Sequence, residues 1–211
     1  MSKKSYPRLI LASSSRYRLA QLANIGLQLP GISPSIDETP RDSEAPEALA
    51  CRLAQSKAEQ IAADYPDAVV IGGDQVAAVT DATGKLHTLG KPGNLPSAIE
   101  QLTLCSGNTV TFYTALSLVH NAKHATLTEC ETVKVSFKKL TEAQIERYLL
   151  SEQPYDCAGS FKSEGKGVLL FERIESRDPN TLIGMPVMLL RDMLAKWQID
   201  LASIVLAWIS V

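Results

Sequence analysis

The chain has 211 residues, of which 45% are hydrophobic and 21% charged, and its formal net charge is −2. That length buries a sizeable core in one domain or two closely associated lobes. Lysines and arginines scattered singly argue against a nucleic-acid binder, and four widely spaced cysteines without a CxxC pair (Cys51, Cys105, Cys130, Cys157) argue against structural zinc and for reduced thiols in a cytoplasmic protein.

In chain order, LILA within residues 8–12 reads as a first buried strand, too brief for the core of a signal peptide. Residues 15–25 suit a helix with Leu19, Leu22 and Ala23 on one face, and the Pro-, Ser- and acid-rich stretch 30–46 is loop with at most a short strand. The clearest helix spans 46–64. Val69, Val70 and Ile71 in AVVIGGD form a fully buried strand over 67–73, ending on two glycines with Asp74 at its mouth. A turn or hairpin follows at 80–92 and a helix at 94–104. TVTFYTALSLV and ATLTECETVKVSF are two longer Thr- and Val-rich strands. In LTEAQIERYLLSE, Thr141 is placed to cap a helix and Gln144 to complete a capping box. GVLLFERI (167–174) reads as another strand, and 186–197 as a helix opening on Pro186. The apolar tail IDLASIVLAWISV falls short of the roughly 20 residues of a membrane helix and reads as a final strand or docked helix. This alternation argues for an α/β fold with a mixed, twisted sheet.

Seven stretches carry groups suited to chemistry, and each also has a plain structural explanation. In LASSSRYR, small hydroxyl residues between strand and helix, with Ser13, Ser15 and Arg18, suit a phosphate; taken alone, they are better explained by an ordinary serine cap with exposed arginines. Leu49, Leu53, Lys57 and Ile61 recur every four residues, so Lys57 lies in an apolar stripe, either snorkelling to its edge or delivering a cation beneath the helix. LGKP sets Lys91 in a tight loop, and IDET offers Asp37 and Glu38. GSFKSEGKG holds Lys162 and Glu164 between glycines, while DPNTLIGMP places Asp178 and Asn180 at a turn. Asp74 alone is better explained by capping the next turn. Together the carboxylates, lysines and arginine form the inventory for metal-assisted attack of water on a phosphoanhydride.

The ordered set LILASSSRYR, IDET, RLAQSKA, IGGDQV, GKP, SGNTVTFYTAL, CAGSFKSEG and RDPNTLIGMP resembles the Maf family of nucleotide pyrophosphatases, also called septum-formation inhibitors, over nearly the whole chain. The resemblance implies an elongated mixed sheet with flanking helices, two lobes around a cleft, and a fold similar to that of inosine-triphosphate pyrophosphatases. It implies hydrolysis of nucleoside triphosphates to monophosphate and pyrophosphate with a divalent metal, Mg²⁺ first and Mn²⁺ or Co²⁺ as substitutes. It makes Asp74 the catalytic carboxylate, with Glu38 beside it at the metal. Lys57 and Lys91 become the phosphate-facing lysines, Ser13 and Arg18 the phosphate loop. The glycines after Ile71 would let substrate approach. No membrane span follows, and a homodimer is among the admitted assemblies.

Members acting on dTTP and UTP carry Arg, Thr and Gln where this chain has Tyr17, Gln75 and Glu164; the DQV and FKSEG forms resemble the branch acting on 7-methyl-GTP. A cationic 7-methylguanine is attracted to the face of Tyr17, and Glu164, taken as a buried acceptor, matches guanine N1–H and N2 and would reject pyrimidines. The chain departs from that branch in having Tyr17 for the usual Trp and Arg16 for the usual proline. It also has a slightly longer 80–90 segment and a tail after Gln198 without counterpart. Two other readings remain at this stage, a dTTP/UTP or broad house-cleaning pyrophosphatase and a nucleotide-binding regulator of septum formation.

Overall fold

A computed structural model describes residues 6–206. Its sheet has six strands: β1 (Leu9–Ala12), β2 (Val69–Thr80), β3 (Leu86–Leu89), β4 (Thr109–His120), β5 (Ala125–Phe137) and β6 (Phe171–Glu175). They are hydrogen-bonded in the order β1-β2-β4-β5-β6, with β3 also on β2. β1 pairs in parallel with β2, whereas β3 on β2 and β6 on β5 are antiparallel, so the sheet is mixed. The helices are α1 (Arg16–Asn24), α2 (Pro46–Asp64), α3 (Leu95–Cys105), α4 (Glu142–Glu152), α5 (Val187–Lys196) and α6 (Leu201–Leu206). Among the described residues no helix is long and apolar enough to cross a membrane.

The chain divides into two compact units. The first comprises 6–74, 114–131 and 184–206. Its parallel pair, β1 and the first half of β2, is buried and apolar on both sides. Leu9, Leu11, Val69 and Ile71 pack with Leu22 of α1 and Leu190, Met193 and Leu194 of α5, while Ile10, Ala12 and Val70 pack with Ala58, Ile61 and Ala62 of α2. Helices on both faces of a parallel pair explain why these strands read as unbroken hydrophobic runs. The second unit comprises 75–113 and 132–183. Its core gathers Leu102, Val110, Val133, Val135 and Leu149 around Phe112, Phe137, Phe161 and Phe171, four rings in edge-to-face contact at centroid distances of 4.9–5.5 Å.

Local chemistry sets most boundaries. α2 begins at Pro46, whose fixed φ suits a first helical position. Thr141 and Gln144 form the expected capping box of α4, with both reciprocal hydrogen bonds. Segment 80–92 is a hairpin whose turn is tied by Asp81, which accepts from Thr83 and Lys85 backbone N–H groups, with Gly84 at φ +86°.

The structure corrects the sequence reading in two elements. β2 does not end at the glycines but runs on to Thr80, so Asp74 stands mid-strand. GVLLFERI is strand only in its second half. Lys166–Leu170 is a 3₁₀ helix, held close to the preceding loop by the Gly167 N–H, which donates to the Lys162 carbonyl where a Cβ on Gly167 would come within 2.3 Å of that oxygen. The apolar tail forms α6 as far as Leu206, docked through Leu201, Ile204 and Val205; its last five residues lie outside the described residues.

Candidate active site

The parallel register Ala12↔Gly72 brings the carboxyl ends of β1 and of the first half of β2 to one level in the first unit. Ser13 follows directly on one strand, Gly73 and Asp74 on the other. Here the glycines have a packing role. A Cβ on Gly72 would lie 2.0 Å from the Ala54 carbonyl oxygen and 2.9 Å from the Ala58 nitrogen, both in α2, and one on Gly73 would lie 3.3 Å from Arg18 Nε. They let a helix and an arginine approach the strand, where the sequence reading had them admit substrate.

That approach delivers Lys57. It is 8% exposed despite its charge, and its Nζ donates to Asp74 Oδ1 at 2.6 Å and lies 2.8 Å from Glu38 Oε1. Asp74 is also 8% exposed. Burial pushes its carboxyl above the ordinary aspartate range, opposed by the charge and hydrogen bond of Lys57 and by Arg18, while Glu38 adds to the upward push. Arg18 donates from Nε to the Gly184 carbonyl at 2.9 Å and from a terminal nitrogen to Ser13 Oγ at 3.3 Å. Burial draws its guanidinium below the usual arginine range, against the pull of the Asp74 and Glu38 carboxylates. Ser13 Oγ also accepts the Ser15 N–H, and Ser15 Oγ caps α1 by accepting the Arg18 N–H. Gly184 holds φ +116°, a conformation that glycine adopts freely, so its carbonyl can meet Arg18.

Two residues on α2 that the sequence reading passed over position the Glu38 loop. Arg52 donates to both Glu44 carboxylate oxygens, at 2.6 and 2.7 Å, and to the Thr39 carbonyl at 3.1 Å. Gln60 accepts the Ser35 N–H at 2.6 Å and donates to the Ser35 carbonyl at 2.9 Å. Asp37 makes a local turn, accepting the Thr39 N–H at 2.9 Å, so of the two acids in IDET only Glu38 reaches Lys57.

Ser13, Arg18, Glu38, Lys57 and Asp74 thus converge within one unit. Tyr17 belongs to it as well, with the Arg16 guanidinium 4.9 Å from its ring centroid and donating to its hydroxyl at 3.0 Å. Gln75, Lys91 and Glu164 belong to the second unit. Gln75 donates its amide to the Thr181 and Leu182 carbonyls at 3.0 and 3.2 Å. Lys91 and Glu164 are exposed. Glu164 therefore is not the buried acceptor assumed from sequence. It sits in an open turn, next to Ser163, whose hydroxyl donates to it.

The donors suit a hard divalent cation shared with phosphate. Lys57 engages one oxygen each of Asp74 and Glu38, and the other oxygen of each carboxylate has no hydrogen bond among the described residues. Mg²⁺ is commonly held by one or two carboxylates with substrate oxygens and waters. Among the described residues no group of three or more His, Cys, Asp or Glu side chains is placed to hold a metal ion by itself.

The fold is an α/β one shared with a solved HAM1 protein from Coxiella burnetii. The similarity covers 90% of this chain and all of that one, with a TM-score of 0.50 and 14% identity. The family is more specific: residues 8–197 match the Maf-like protein family, and the chain belongs to it. Members of that family are nucleotide pyrophosphatases, generally metal-dependent, which makes this chain a hydrolase of phosphoanhydride bonds.

Proposed function

We propose that the chain hydrolyses 7-methyl-GTP to 7-methyl-GMP and pyrophosphate in the cytoplasm. The observation that carries the catalytic part is the buried Asp74 carboxyl in a 2.6 Å hydrogen bond with Lys57. A carboxyl raised by burial is a stronger base than an exposed aspartate, and the adjacent ammonium pulls back towards the proton-accepting form. Asp74 takes a proton from water; the water oxygen bonds to the α-phosphorus as the bond to the β-bridging oxygen breaks, and pyrophosphate leaves. Lys57, Lys91 and Arg18 stabilise the charge that develops on the leaving group, and Ser13 orients the phosphates. Glu38 and Asp74 are the residues that would hold Mg²⁺, which when bound neutralises phosphate charge.

The base preference is supported by the DQV and FKSEG sequence forms. Tyr17 offers a ring face to the cationic base, and Glu164 accepts from the guanine Watson–Crick edge; Gln75 marks the same branch. One observation favours a second reading. Arg16 places its own cation over the Tyr17 ring, which disfavours a positively charged base there and favours a broader house-cleaning pyrophosphatase. Pyrophosphate release with Mg²⁺ from 7-methyl-GTP, GTP, UTP, dTTP and CTP decides. Highest kcat/KM on 7-methyl-GTP supports the proposal, and preference for UTP or dTTP, or no discrimination, overturns the specificity. Absence of release from all five would point instead to a nucleotide-binding regulator of septum formation.

A further inference from the structure

The first unit contains a cavity of about 380 Å³ lined by Tyr6, Pro7, Val69, His120, Lys123, Ala125 and Trp197–Ile199. It shares no residue with the candidate active site. Val69 opens β2, and Asp74 lies five steps further along the extended strand, roughly 17 Å away, so the cavity lies at the opposite end of that strand segment. Its volume falls within the range of about 300–1,000 Å³ typical of small-molecule sites, and like them it is mainly apolar with few polar groups.

Those polar groups are informative. His120 is 6% exposed, and its Nδ1 is buried without a hydrogen-bond partner among the described residues. Such a nitrogen costs free energy unless something satisfies it. Among the described residues, Lys123, at the end of the 3₁₀ turn Asn121–Lys123, is exposed and forms no ion pair, and no Asp or Glu lines the cavity. Trp197 and Tyr6 add aromatic surface that favours a flat ring over an aliphatic chain.

We propose that this cavity is a second binding site, for a small planar aromatic anion. The ring packs against Trp197 and Tyr6, a polar atom meets His120, and the negative group faces Lys123.

The test is calorimetric titration of the full chain with 1-naphthoate and with its neutral counterpart 1-naphthalenemethanol. One naphthoate per chain is expected, with binding retained in the Asp74→Asn chain. Lys123→Gln, at an exposed position, should weaken naphthoate about tenfold, leave the alcohol unchanged and leave pyrophosphate release unaltered. His120→Phe should weaken both ligands. Failure of the wild-type chain to bind naphthoate, loss of binding in Asp74→Asn, or equal naphthoate affinity in Lys123→Gln would each overturn the proposal.

Discussion

Lys57 Nζ stands 2.6 Å from Asp74 Oδ1 in a setting where both side chains are buried, and this contact ties the titration of Asp74, the proposed base, to the charge of its neighbour. Burial raises the Asp74 carboxyl and Lys57 lowers it again. A base must be deprotonated to act, so kcat/KM should fall on the acid side as Asp74 takes up its proton. Removing the ammonium in Lys57→Gln removes the lowering influence, and the acid limb should then move to higher pH. Asp74→Asn should abolish the limb and reduce turnover by about 10²–10⁴-fold, the usual range for a general base, while nucleotide still binds. Pyrophosphate release across pH, with equilibrium binding alongside, measures both. An unmoved limb in Lys57→Gln, or unimpaired turnover in Asp74→Asn, removes Asp74 from the role.

The strand beneath this pair depends on a residue without a side chain. A methyl group on Gly72 would meet the Ala54 carbonyl at 2.0 Å and Ala58 at 2.9 Å, and backbone atoms cannot yield as a flexible side chain can. Gly72→Ala should therefore push α2 off β2, destabilising the chain by about 1–3 kcal/mol or more through overpacking and separating Lys57 from Asp74. Urea unfolding gives the first effect. The second appears as lost turnover at a temperature where the variant remains folded. Wild-type stability in Gly72→Ala would mean that the helix relaxes freely.

What the sequence disclosed and what it hid follow one physical division. α2 was legible end to end because Pro46 marks its start and its apolar stripe repeats locally, and the same stripe exposed Lys57 as out of place. The extent of β2 was not, since Gly72 and Gly73 look like a strand end when their true cause is a helix and an arginine arriving from elsewhere in the chain. Gly167 hid the 3₁₀ turn for the same reason, its constraint being the Lys162 carbonyl. Arg52 and Glu44 carry no periodic signal, for they join a loop to a helix.

The proposed 7-methyl-GTP specificity assigns Glu164 a role in substrate choice. It is exposed, so a guanine preference set by it would rest on hydrogen bonding without a large desolvation penalty behind it. Glu164→Gln replaces one acceptor oxygen by a donor, which opposes the guanine N1–H and N2 donors and can serve pyrimidine carbonyls. The expected result is a fall of about tenfold in kcat/KM for 7-methyl-GTP with a gain for UTP and dTTP. Equal changes across all substrates would show that Glu164 does not read the base.

The clamp between Arg52 and Glu44 makes a separable prediction about acid stability. The Arg52 hydrogen bonds, with the Arg41 N–H, hold the Glu44 carboxyl down at about 2, against an ordinary value of 4.5. The folded chain therefore binds fewer protons at Glu44 than the unfolded chain does between those two values. The clamp's contribution to stability is complete above about pH 4.5 and is lost as pH falls through about 2. Glu44→Gln should accordingly be less stable than wild type at neutral pH, with the difference in urea midpoint shrinking steadily below pH 4.5 and nearly gone at pH 2. Since Arg52 also holds the Thr39 carbonyl beside Glu38, Arg52→Met should in addition raise KM for the nucleotide several-fold. A midpoint difference that stays constant from pH 7 to pH 2 would show that the pair is not linked to folding through its charge.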